Sequence, residues 1–134
     1  AEEGDWLDGE GKSERREVLH AYIDRVIEGL AGIGNEALSA LRIGWDSGNG
    51  AAGPALELLT AKIPGEHHLL FTEVDGTFPN HHPDPTEEKN LADLKALVAA
   101  NSLDFGVAFD GDGDRIGAID GEGRVIWGDQ LLMI

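Results

Sequence analysis

The 134 residues carry 26 acidic side chains against 10 basic ones, a formal net charge of -16, and no cysteine. That length fits one domain able to bury its own core. The charge opposes nucleic acid and anionic membrane surfaces as partners, and the lack of thiols excludes disulfide scaffolds, cysteine nucleophiles, zinc-thiolate sites and iron-sulfur clusters.

Residues 1–12 are polar and rich in Asp, Glu and Gly, and read as a linker with Trp6 packed along it. From Ser13 onward Val18, Tyr22, Val26 and Leu30 recur every four residues, and Ile23 and Ile27 widen that line into the apolar face of a helix. Gly29, Gly32 and Gly34 stop it, and "NEALSA" is ambiguous. "LRIGWD" then places Leu41, Ile43 and Trp45 on one side of a short strand. "SGNGAAG" follows, and "PALELLTAKI" supplies a helix with Pro54 tolerated in its first turn. Strand, glycine loop and helix form the opening of a βαβ crossover.

Residues 69–74 read as the next strand, and "DGTFPNHHPDPTEEKN" as a long connection whose prolines forbid regular structure. Thr86 or Asp84 is the expected cap of a helix with Glu87 and Glu88 in its first turn and Leu91, Leu94 and Val98 along its apolar edge. "DFGVAFD" makes a third strand and completes the second crossover. "RIGAID", the turn "GEG" and "RVIWG" then form an antiparallel hairpin. Trp45 and Trp127 read as core or sheet-edge residues.

The fold class is therefore α/β, a mixed four- or five-stranded sheet with βαβ crossovers and a C-terminal antiparallel hairpin, covered by helices. The α/β domain is expected over residues 13–128, with 129–134 starting a helix toward a further domain. The absent initial Met and the apolar end "GDQLLMI" read as a piece excised from a longer chain. No stretch approaches 18 apolar residues and no signal-peptide pattern opens the chain, so a cytoplasmic location is expected.

In parallel α/β units the loops at the carboxyl ends of the strands share one edge, where ligands sit. Here they begin at Asp46, Asp75 and Asp110. The third is the most informative. In "FDGDGDRIGAID", Asp110, Asp112 and Asp114 alternate with Gly111 and Gly113, whose freedom allows a path tight enough to turn three carboxylates inward. Like charges so close repel, and a hard divalent cation with oxygen ligands relieves the repulsion. An EF-hand beginning at Asp110 fails, because the sixth position is Arg115 instead of Gly and the twelfth is Gly121 instead of Glu. A plain Gly-Asp surface turn explains the loop less well, given the apolar strands on both sides and the adjoining Arg115. That arginine can hold a phosphate through its planar fork, or else satisfy a neighbouring aspartate.

"WDSGNG" has the backbone of an anion cradle before a helix but lacks the full Walker or dinucleotide pattern, and a close-packing turn is the better reading. Ser47 has no assigned base. The adjacent pairs His67-His68 and His81-His82 lack metal-pair spacing, so His81 and His82 are expected to pack at a substrate edge or domain interface.

Together "FDGDGDRIGAID", "FPNHHPDPTEEKNL" and the "SGNG" turn resemble the phosphomannomutase/phosphoglucomutase group of the alpha-D-phosphohexomutase superfamily. The resemblance covers nearly the whole chain, which looks like the second of four domains. It implies that Asp110, Asp112 and Asp114 ligate Mg²⁺, that Arg115 helps hold the transferred phosphoryl group, and that a phosphoserine on the first domain supplies a further oxygen ligand. The implied reaction moves a phosphoryl group between the C1 and C6 oxygens of a hexose through a bisphosphorylated sugar. Mannose and glucose phosphates are the implied substrates, with the other three domains as partners and no turnover by this domain alone. Another magnesium-dependent phosphotransfer enzyme, or a noncatalytic cation-binding or interaction module, is the alternative. An aspartyl-phosphate phosphatase fits poorly, because its acidic motif follows the first strand and this one follows the third.

Overall fold

The computed structural model describes residues 9–133, so most of the expected linker, Trp6 included, and the last residue of the expected terminal helix lie outside the described residues. In chain order the elements are α1 (Leu19–Glu28), α2 (Asn35–Ser39), β1 (Arg42–Asp46), α3 (Gly53–Thr60), β2 (Glu66–Leu70), a 3₁₀ turn (Glu88–Leu91), α4 (Ala92–Asn101), β3 (Phe105–Phe109), β4 (Ile116–Asp120), β5 (Val125–Ile126) and α5 (Gly128–Leu131). The sheet order is β2-β1-β3-β4-β5. The pairs β1/β2 and β1/β3 are parallel, while β3/β4 and β4/β5 are antiparallel. This is the five-stranded form of the expected mixed sheet, with both crossovers and the terminal hairpin in place.

Strand alternation sends successive side chains to opposite faces. Gly44 and Gly106 face α4, where an added Cβ would stand 3.2 Å and 2.9 Å from Leu94 Cδ1. Leu91, Leu94, Val98, Leu103, Ala108 and Ile119 form the buried core on that side. Phe109 has the opposite parity and shares a cavity wall with α1 and α3. Helices thus cover both faces, and the chain leaves β1 outward to β2 and then returns past it to β3. The strand order reverses between β1 and β3, the place where open α/β sheets form a ligand crevice.

Three expectations change. Residues 13–17 are not helical, and the Glu17 carboxylate accepts the Leu19 N–H at 2.7 Å just as α1 begins. On α1 the residue that packs is Ile23, 1% exposed, whereas Val18, Tyr22 and Val26 stay largely outside, Tyr22 at 58%. Periodicity located a helix with two apolar lines, and burial falls on the one through Ile23, while Tyr22 and Val26 line the cavity shared with α3.

The second strand occupies 66–70 and not 69–74, because Phe71 adopts a left-handed φ of 54° and breaks the ladder. The loop after it accordingly starts at Phe71 instead of Asp75. Finally, neither Asp84 nor Thr86 caps α4. Asp84 Oδ1 closes a local turn onto the Thr86 N–H and Oγ1 at 3.1 and 2.7 Å, and α4 is entered through the 3₁₀ turn with Leu91 at its N-cap.

Candidate metal centre

β3 delivers the chain into Asp110 and β4 takes it away from Ile116, so the acidic loop is a six-residue hairpin connection closed by the Asp110 N–H donating to the Arg115 carbonyl at 3.2 Å. Gly113, with a φ of 80°, supplies the left-handed step that brings the chain back. One oxygen from each of Asp110, Asp112 and Asp114 lies within 4.8 Å of the others. Asp110 is buried at 2% exposed, while Asp112 and Asp114 face solvent. The sequence expectation that three carboxylates converge is thus met in geometry.

Asp110 is also the hub of the loop. Its Oδ1 accepts the N–H groups of Gly113 and Arg115 at 3.0 and 3.1 Å, and its Oδ2 accepts Arg115 Nε at 2.8 Å. Burial alone would push the Asp110 carboxyl up, but the Arg115 backbone N–H and guanidinium outweigh it and hold the group down at about 2. Asp114 moves the other way: the charges of Asp112 and then Asp110 push it up. That opposition is the electrostatic signature of an acidic cluster without enough positive charge, and the donor set is wholly carboxylate oxygen, which suits a hard cation such as Mg²⁺.

Arg115 therefore performs the second of its two expected roles, satisfying Asp110. Its Nη1 also approaches Asp84 Oδ1 at 3.4 Å, and its side chain remains 53% exposed beside the carboxylates. Sequence reasoning placed Asp84 at a helix start, and its reach to Arg115 across 31 residues carried no local signal.

The "SGNG" loop packs against this hairpin. Every backbone N–H from Ser47 through Ala51 already donates, to Leu70 O, Asp46 Oδ1, Phe71 O, Ser47 O and Gly111 O in turn. An anion cradle needs free N–H groups, so the close-packing reading holds. Gly50 is required by contact, since a Cβ there would stand 2.8 Å from the Gly111 carbonyl oxygen and 3.0 Å from that of Asp110. The Ser47 hydroxyl, fully buried, donates to the Phe71 carbonyl at 2.7 Å and is spent on structure.

Asn49 gathers the remaining loops. Its Nδ2 donates to the Glu73 carbonyl at 2.8 Å and its Oδ1 accepts Asn80 Nδ2 at 2.7 Å. His81 turns inward, with Nε2 2.9 Å from Asp46 Oδ2 and its ring edge-on to Phe71 at 5.5 Å between centroids. This buried pair was missed, because Asp46 read only as a loop start. The available signal was a carboxylate ending a buried strand, with the strand's one basic residue, Arg42, at its opposite end. His67 and His68 diverge, His67 accepting Trp45 Nε1 at 3.2 Å and His68 reaching Glu66 at 2.7 Å, so they form no metal pair. The buried His67 Nε2 has no partner among the described residues.

Residues 20–123 match the family model described as phosphoglucomutase/phosphomannomutase, alpha/beta/alpha domain II. A phosphomannomutase/phosphoglucomutase of Pseudomonas putida is 41% identical over 125 residues, which is 93% of this chain and 26% of that protein. A phosphoglucomutase of Neisseria gonorrhoeae is 38% identical over 128 residues, 95% of this chain and 26% of that protein. Among solved structures, a phosphoglucomutase/phosphomannomutase family protein from Burkholderia thailandensis superposes with a TM-score of 0.78 at 40% identity, covering 90% of this chain and 25% of that one. The chain spans about a quarter of the length of these relatives. No helix among the described residues is long and apolar enough to cross a membrane.

Proposed function

We propose, from the premise that the chain belongs to the phosphoglucomutase/phosphomannomutase family, that it is the metal-binding domain of a longer phosphohexomutase. That enzyme interconverts hexose 1-phosphate and hexose 6-phosphate, with mannose and glucose phosphates as its substrates, in the cytoplasm. The observation that carries this reading is the convergence of Asp110, Asp112 and Asp114 within 4.8 Å, beside Arg115, at the strand-order reversal of a family-matched domain.

Asp110, Asp112 and Asp114 would hold Mg²⁺. When bound, the ion supplies positive charge to the oxygens of a phosphoryl group in transfer. Asp112 and Asp114, being exposed, form the open side of the site. Asp110 is fixed from below by two N–H groups and one guanidinium N–H, so its carboxylate starts in place. Arg115 keeps a half-exposed guanidinium next to the carboxylates, where its remaining N–H groups can take phosphate oxygens while Nε stays on Asp110. The acceptor and donor of the phosphoryl group, a phosphoserine and the sugar hydroxyls, belong to the rest of the enzyme and its substrate. For this reason the domain alone turns nothing over.

The test has two stages. Titration of this chain with Mn²⁺, followed by electron paramagnetic resonance, reads the cation site, and Asp112→Asn weakens it. The full-length enzyme then converts mannose 1-phosphate and glucose 1-phosphate to the 6-phosphates, and Asp112→Asn abolishes that conversion. Absence of cation binding by the wild-type chain rejects the metal assignment, and absence of conversion rejects the reaction.

A further inference from the structure

The segment from Phe78 to Pro85 lies along the whole acidic hairpin. An added Cβ at Gly111 would meet Phe78 Cζ at 3.3 Å and Pro83 Cγ at 3.4 Å, and one at Gly117 would meet Pro85 Cβ at 2.8 Å. Between them Asp84 reaches Arg115. The segment contains no regular element, so its position depends on its anchors. One is Asn80 on Asn49, the second is His81 on Asp46, at the end of β1, and the third is the buried Asn90 Nδ2, which donates to the Asp84 carbonyl at 2.8 Å.

The hydrogen bonds fix the protons of that second anchor. His81 Nδ1 lies 3.0 Å from the His82 carbonyl, which can only accept, so Nδ1 carries hydrogen. Asp46 Oδ1 accepts the Gly48 N–H at 2.9 Å. One proton therefore remains between His81 Nε2 and Asp46 Oδ2, and in either position it leaves the pair neutral overall. Asp46 is 0% exposed. A buried carboxylate without such a partner is strongly disfavoured, so the partner's location is specified.

We infer that the Asp46–His81 pair is a positioning device for the acidic loop, holding residues 78–85 against Gly111 and bringing Asp84 to Arg115. The inference rests on the metal-loop reading for its functional meaning, but its structural content stands on the contacts above. Both residues act through others: His81 holds the segment, Pro83 and Phe78 form the wall behind Gly111, and Asp84 steadies the guanidinium. Asp46→Asn separates shape from charge. An asparagine amide donates to His81 Nε2 while its oxygen keeps the Gly48 N–H, so the anchor survives without the carboxylate.

The experiment measures amide hydrogen exchange and Mn²⁺ affinity of the 134-residue chain in wild type, His81→Ala and Asp46→Asn. In His81→Ala the Gly113 and Arg115 amides exchange at least about tenfold faster, while those of Glu122 and Arg124, in the distal hairpin turn, are unchanged, and Mn²⁺ binds about fivefold or more weakly. Asp46→Asn stays within about twofold of wild type in both. Should His81→Ala fail to fold, the Asp46→Ala/His81→Leu double variant removes both polar members, leaves no lone buried charge, and is read in the same way. Unchanged Gly113 and Arg115 exchange in the folded variant overturns the inference, as does equal acceleration throughout the chain. So does an Asp46→Asn protein as impaired as His81→Ala. A wild-type chain that binds no Mn²⁺ rejects the metal reading instead, and the exchange comparison still decides the role of the pair.

Discussion

Arg115 Nε donates to Asp110 Oδ2 at 2.8 Å, and the same carboxylate accepts the Arg115 backbone N–H through Oδ1 at 3.1 Å, so one residue grips another twice across the acidic hairpin. The arrangement sets a pH dependence. A carboxyl held at about 2 in the fold, below the unfolded value of about 3.9, contributes stability that is fully present above the unfolded value. That contribution is lost as pH falls through the folded value. Arg115→Gln keeps the backbone donor but removes the guanidinium. Its thermal midpoint is expected below that of wild type by a constant amount above about pH 5, with the gap closing as pH drops below about 4. Melting curves between pH 2.5 and 7 check this, and a gap that persists undiminished at the acid end contradicts it.

The exposed carboxylates behave differently. Asp114 is pushed up by the charges of Asp112 and Asp110, so removing one of those charges relaxes the metal-free loop. Asp112→Asn is therefore expected to leave the chain as stable as wild type or slightly more so, within about 0.5 kcal/mol. The same change weakens Mn²⁺ binding by at least about tenfold, the scale of one lost charged oxygen contact. Equal Mn²⁺ titration curves for the two proteins contradict the assignment of Asp112, and a large loss of stability contradicts the electrostatic account.

The acidic loop was legible in the sequence because all its parts are local: alternating Asp and Gly, a strand on each side, and Arg115 next in line. The sheet was legible for a similar reason, since β1, β3 and the β4/β5 hairpin each combine an apolar pattern with a turn-forming boundary. What sequence did not show depends on distant partners. The Val18-Tyr22-Val26 line has the right period for burial, but the side chain that α1 buries is Ile23. Phe71 carries a left-handed φ that a bulky aromatic disfavours, and the gain lies elsewhere, in a carbonyl turned to accept Ser47 Oγ and the Asn49 N–H. Asp46 and His81 are 35 residues apart, and only the return of the chain past β1 makes them neighbours.

Ser47 is a useful control because its hydroxyl, to which the sequence assigns no base, is a brace in the structure. Ser47→Ala removes one donor from the Phe71 carbonyl, which keeps the Asn49 N–H at 2.9 Å, so no acceptor is left bare. The expected cost is about 1 kcal/mol of stability, read from urea denaturation. Mn²⁺ affinity of the chain, and the hexose-phosphate conversion proposed for the full-length enzyme, both stay at wild-type levels. Loss of conversion at unchanged stability contradicts the structural role.

Gly50 tests whether the first loop supports the third. Its missing side chain lets the "SGNG" turn lie against Gly111, with the Ala51 N–H donating to the Gly111 carbonyl at 2.9 Å. The atoms that a Cβ would meet are the carbonyl oxygens of Gly111 at 2.8 Å and Asp110 at 3.0 Å across the gap, and that of Ser47 at 3.0 Å within its own turn. All three are backbone, so none can rotate away, and relief of the first two requires the acidic hairpin to move. Gly50→Ala is expected to destabilise the chain by about 1–3 kcal/mol, the range for an overpacked contact, and to weaken Mn²⁺ binding although no carboxylate has changed. Gly76, where a Cβ would meet nothing within 4 Å, gives the comparison: Gly76→Ala alters neither quantity by a comparable amount. If Gly50→Ala lowers stability yet binds Mn²⁺ as wild type does, the two loops are neighbours without mechanical coupling, and the three carboxylates owe their convergence to the β3/β4 hairpin alone.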